Sequence, residues 1–90
     1  MRFGDIAESF GSSDEVILDC ASKRAGFPQL AAIRRDFYKD VRIYPDISRA
    51  LVRELREIGQ ALGCQSRCAE LATFFERAAE SGATVYCVSD

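Results

Sequence analysis

The chain has 90 residues, 48% hydrophobic and 29% charged, and its 12 basic and 14 acidic side chains leave a net charge of -2. That length supports one hydrophobic core rather than two, and the apolar content excludes an intrinsically disordered chain. The near-neutral balance also excludes a general electrostatic pull toward nucleic acid or anionic lipid, so any such binding would need a local patch.

Gly11-Ser12-Ser13 punctuates the N-terminal segment, and residues 1 to 13 are predicted as either an edge strand or a loosely held arm. Asp5 and Glu8 interrupt the apolar run that a signal peptide needs, and no stretch is long enough to cross a bilayer. A cytoplasmic location without membrane contact is the resulting expectation. Ser13 is placed to cap a helix whose first turn carries Asp14 and Glu15, with Gly26 and Pro28 as its stop. The β-branched run Glu15 to Cys20 also fits a short strand; helix is the preferred reading.

Pro28 suits the first turn of a second, short helix, in which Leu30, Ile33 and Phe37 recur at three to four residues and share a face. The period then changes to two. Val41 and Ile43 alternate with Arg42 and Tyr44 in a strand near 41–44, which Pro45 ends and after which Asp46 is the expected helix cap. Ile47, Leu51, Leu55, Ile58 and Leu62 form the clearest helical stripe, with Arg49, Arg53, Glu54, Arg56, Glu57 and Gln60 assigned to the polar remainder. Gly63 stops that helix and Ser66 is expected to cap the next. Its apolar arc comprises Leu71, Ala72, Phe74, Phe75, Ala78 and Ala79, and Gly82 stops it. So short a connection predicts an antiparallel helical hairpin. The closing strand near 84–88 opposes Val85 and Cys87 to Tyr86 and Val88. Paired with the strand near 41–44, it makes one α+β domain over residues 1–90: a helical hairpin packed on a short sheet, with an extra N-terminal helix.

The chain has no histidine. It therefore lacks the commonest general base, the commonest neutral metal ligand and the Ser-His and Cys-His nucleophile pairs. No glycine-rich phosphate loop lies between a strand and a helix start. No catalytic residue, metal or cofactor is assigned on these grounds. The four cysteines are read as reduced and mostly buried. Cys64 and Cys68 bracket a helix start, where exposed N–H groups would lower a thiol pKa, but C-x3-C has neither the CxxC spacing nor the second close pair of a structural zinc site.

Two surfaces remain. Asp36, Tyr38, Asp40, Arg42, Tyr44 and Asp46 cluster around one strand and mix carboxylates with tyrosines, a composition that fits a protein-binding face as well as plain solvated loops. Arg49, Arg53 and Arg56 form a basic ridge that suits a phosphate track, although Glu54 and Glu57 interrupt it and disfavour nucleic acid. Phe27-Pro28-x-Leu30-x-x-Ile33, Asp40-Val41, Leu51-x-x-Glu54-Leu55 and the terminal Ser89-Asp90 resemble small bacterial proteins, some of them immunity proteins of polymorphic toxin systems. The resemblance spans residues 27 to 90 and rests mostly on apolar spacings. It implies a one-domain protein that binds and blocks a cognate partner, such as a toxin, without catalysis of its own. A homodimer is a further expectation.

Overall fold

The computed structural model describes residues 2–3, 10–11 and 14–88. Strand β1 (Arg2–Phe3) is followed by helices α1 (Glu15–Ser22) and α2 (Pro28–Arg35), strand β2 (Val41–Ile43), helices α3 (Pro45–Leu62) and α4 (Gln65–Glu80), and strand β3 (Val85–Val88). The sheet is antiparallel with order β1-β3-β2, so the last strand lies in the middle. The expected α+β architecture is the one observed. The N-terminal segment contributes an edge strand that enlarges the expected pair of strands to three.

Burial geometry decides α1 in favour of helix. Ile17, Leu18 and Ala21 are all buried while Val16 is exposed, a pattern that one helical face satisfies and an alternating strand does not. The helix closes at Ser22, before Gly26, through tightened turns in which Lys23 N–H donates to Cys20 O and Arg24 N–H to Ala21 O. The expected Ser13 cap lies outside the described residues, and Asp14 holds the cap position instead. Pro28 opens α2 as expected, and Leu30, Ile33 and Phe37 enter the core together.

Two caps differ from expectation. Tyr44, not Asp46, is the N-cap of α3: Pro45 takes the first helical position and keeps the residue before it extended (ψ 161°), which leaves Asp46 inside the first turn. Cys64, not Ser66, precedes α4. In both helices the chain geometry at the turn sets the start, and neither cap residue's side chain makes a capping hydrogen bond to the helix backbone.

The core stripe of α3 is real but wider than its apolar residues. Leu51, Leu55 and Ile58 are completely buried, Ile47 and Leu62 partly so. Glu54, assigned above to the polar face, is also completely buried. Three residues after Leu51 and four before Ile58, it shares their face, and its carboxylate reaches the start of α2. Oε1 accepts the N–H groups of Gln29 (3.1 Å) and Leu30 (3.0 Å), and Oε2 lies 3.2 Å from the Gln29 nitrogen. Glu54 is thus a remote N-cap that satisfies two otherwise orphaned donors and complements the helix dipole.

A second buried carboxylate ties α1 to α4. Asp14 receives both Arg67 Nε (2.8 Å) and Nη2 (2.7 Å) in a bidentate pair, and Gly11 N–H donates to Oδ2 at 2.8 Å. Phe3 completes this side of the core: its ring stacks on Phe74 at 4.8 Å and meets Phe10 and Phe75 edge-on at 5.2 and 5.4 Å.

The hairpin of α3 and α4 turns through Gly63, whose φ of 71° is costly for residues with a Cβ. At Gly59 the helices nearly touch. A Cβ there would lie 2.9 Å from Cys68 Cβ and 3.3 Å from its Sγ. Gly59→Ala is therefore expected to destabilise the domain by about 1–2 kcal/mol. Overpacking costs about 1–3 kcal/mol, and the gain of about 1 kcal/mol in helix propensity offsets part of it. Urea denaturation checks this, and a more stable variant would show that the two helices separate without loss.

Candidate partner-binding face

The alternation of β2 and β3 sends Ile43, Val85 and Cys87 into the core and leaves Arg42, Tyr86 and Val88 on the outward side. Register places Arg42 directly opposite Tyr86. The guanidinium carbon of Arg42 lies 5.8 Å from the Tyr86 ring centroid, a cation–π distance. Tyr86 is 56% exposed and Tyr44, one residue beyond β2, is 51% exposed. An aromatic with an arginine laid across it is thus presented on a short sheet.

Only part of the expected cluster converges here. Asp36 closes the C-terminal end of α2 and pairs with Arg35 (3.3 Å) and Lys39 (4.0 Å). With Arg42 it rims a shallow groove between α2 and β2, floored by Ala32, Ile33, Val41 and Ile43. Tyr38 points elsewhere. Its hydroxyl donates to Glu15 Oε1 of α1 at 3.0 Å, and that hydrogen bond and the glutamate's charge raise the phenol pKa. Although 73% exposed, Tyr38 belongs to the α1 side of the molecule. Asp40 and Asp46 are exposed at the two ends of the β2 region.

Tyr86 and Val88 were absent from the expected set because they are distant in sequence. The alternation of the closing strand was the signal that places them beside Arg42.

The basic ridge is interleaved with acid from the neighbouring helix. Arg49, Arg53 and Arg56 are all exposed, but Arg56 Nη2 binds Glu76 Oε2 at 2.7 Å, and Arg49 lines a hollow with Glu76 and Glu80. Such exposed pairs contribute at most about 1 kcal/mol to stability, yet they reduce the positive field a phosphate would meet.

Among the described residues, the two enclosed carboxylates are occupied by structural partners: Glu54 by the α2 amides and Asp14 by Arg67 and Gly11. Cys68 is enclosed beneath the hairpin, as expected. Burial, reinforced by the hydrogen bond to Cys64, pushes its thiol up to about 12 and outweighs any lowering by the helix start. Burial likewise pushes Cys87 up to about 11. Among the described residues, no three Cys, Asp or Glu side chains converge as a metal site, and no helix is long and apolar enough to cross a membrane.

No protein-family model matches the chain, and no curated protein or solved structure matches it. The functional reading accordingly rests on geometry.

Proposed function

We propose that the chain is a non-enzymatic protein-binding module whose partner docks on the outward face of β2 and β3. The observation that carries this reading is the exposed Tyr86 with Arg42 across its ring, flanked by Tyr44. Tyrosine and arginine are enriched at interface hot spots: tyrosine buries a large area at low entropic cost and keeps a polar end, and arginine adds a planar charged fork that stacks on aromatic rings. Their placement on a sheet backed by a continuous core limits the reorganisation that binding would require.

In its most specific form, the proposal is an immunity or antitoxin-type protein that neutralises a cognate toxin by covering it. The absence of histidine and the engagement of both buried carboxylates by backbone and arginine groups support a role in recognition over one in chemistry.

In native host extract, a tagged chain is expected to retain a discrete partner that Tyr86→Ala releases. Truncation at such a centre costs about 2 kcal/mol or more, roughly a thirtyfold rise in Kd measured with the purified pair. Unchanged affinity in both Tyr86→Ala and Arg42→Ala would remove this face from the interface. Inhibition of a toxin by the wild type, lost in the same variants, would establish the immunity form.

A second reading, a small regulatory protein contacting nucleic acid through Arg49, Arg53 and Arg56, draws on their shared exposed side of α3. Glu76 and Glu80 beside them leave it the weaker of the two.

A further inference from the structure

The turn joining α3 to α4 holds two thiols at close range. Cys64 Sγ lies 3.5 Å from Cys68 Sγ; Cys64 is partly exposed at the N-cap of α4, whereas Cys68 is enclosed against Gly59. Cys68 N–H donates to Cys64 O at 3.1 Å, so the two residues are one helical turn apart. Residues i and i+4 of a helix have Cα atoms about 6 Å apart, inside the roughly 4.4–6.8 Å that a disulfide spans. Bond formation requires the sulfurs to close from 3.5 Å to about 2.05 Å.

We infer that Cys64 and Cys68 form a thiol oxidation site, in which Cys64 is attacked first and Cys68 resolves the product into an intramolecular disulfide. The oxidant is a small-molecule disulfide. The Cys64 thiolate attacks one of its sulfurs, releasing one small thiol and leaving a mixed disulfide on Cys64. Cys68 then gives up its proton and attacks the Cys64 sulfur, displacing the second small thiol. One S–S bond and two S–H bonds break, one S–S bond and two S–H bonds form, and two electrons pass from the protein to the reagent.

The environments assign the order. Enclosure keeps the Cys68 thiol protonated and shields it from reagents in solution, whereas Cys64 is the member of the pair that solvent reaches. Part of what suppresses ionisation at Cys68 is the Cys64 sulfur itself, through its hydrogen bond and charge. A mixed disulfide on Cys64 removes that contribution and leaves burial and the Asp14 charge, partly offset by Arg67, to oppose the second step. The bond would staple the N-cap of α4 to its first turn, where Cys68 packs against Gly59 of α3.

The sequence supplies a direct readout. Trypsin cuts after Arg56, Arg67 and Arg77, so Cys64 and Cys68 fall in different peptides, 57–67 and 68–77. The folded wild-type chain is treated with glutathione disulfide, its remaining thiols are alkylated, and it is digested without reduction. The expected product is peptide 57–67 joined to peptide 68–77, with Cys20 and Cys87 alkylated. Cys68→Ser is expected to stop at a stable glutathione adduct on Cys64, and Cys64→Ser to leave Cys68 without an adduct. A persistent glutathione adduct on Cys64 of the wild type, linkage through Cys20, or both thiols alkylated after treatment would each overturn the inference. The wild-type result stands alone should either variant fail to fold.

Discussion

Replacing Glu54 with alanine is expected to remove about 3 kcal/mol of folding stability, a large share of the roughly 5–15 kcal/mol that holds a small domain together. The amides of Gln29 and Leu30 lose their acceptor at the first turn of α2, and an unsatisfied buried donor costs about 1–3 kcal/mol. The cavity left in the enclosed stripe of α3 adds to that loss, while relief from holding a carboxylate away from water offsets part of it. Glu54→Gln keeps an acceptor oxygen but not the charge and should lose less, about 1 kcal/mol. Glu57→Ala, on the exposed side of the same helix, should stay within about 0.5 kcal/mol. Urea denaturation ranks the three variants, and hydrogen exchange should show faster opening at residues 29 and 30 in Glu54→Ala. Equal losses for Glu54→Ala and Glu57→Ala would mean that α2 is not capped from α3.

Arg67→Ala is expected to cost about as much, near 3 kcal/mol at neutral pH, because it strands the Asp14 carboxylate. Removing one member of a buried pair costs about 3–5 kcal/mol. The lower end applies because the Arg67 side chain is 31% exposed, so water can reach the site that it leaves, while the Asp14 side chain is only 3% exposed. The pair also makes a pH prediction. Burial by itself raises the Asp14 pKa, but the Arg67 hydrogen bonds, the Gly11 N–H and the arginine's charge together outweigh it and hold the value below 3.8. A carboxylate with a lower pKa folded than unfolded binds fewer protons in the folded state. Its contribution is therefore complete above the unfolded pKa and disappears as pH falls through the folded one. The stability gap between wild type and Asp14→Asn should be wide at pH 7 and narrow steadily below 3.8. A gap of constant width down to about pH 3 would show that the ion pair is not what holds α1 to α4.

These two carboxylates also mark where local pattern stops being informative. Leu51, Leu55 and Ile58 were legible because a helical period depends only on neighbouring residues, and Val85 and Cys87 because alternation does. Glu54 sits in the same stripe by spacing, yet its charge argued for the surface, since the amides that justify its burial lie 24 and 25 residues away. Asp14 is similar: Arg67 is 53 positions further on. Phe3 enters the core where β1 pairs with β3, a contact spanning nearly the whole chain, and Phe10 packs edge-on against its ring.

The proposed face follows the same division. Arg42 and Tyr44 were assigned correctly to the outward side of their strand, whereas Tyr38 was grouped with them by proximity in sequence and in fact bonds to Glu15. Tyr86, which gives the face its most prominent ring, required knowing how the two strands pair.

The central claim is that recognition uses the sheet face rather than the helix ridge. It is tested by one comparison of partner retention from native host extract, with wild type, Tyr86→Ala/Arg42→Ala and Arg49→Ala/Arg53→Ala assayed side by side after each is shown to be folded. The expected result is a protein partner held by the wild type and the ridge variant and lost from the sheet-face variant. Retention by the sheet-face variant, with loss of a nucleic acid or protein partner from the ridge variant, would contradict the assignment.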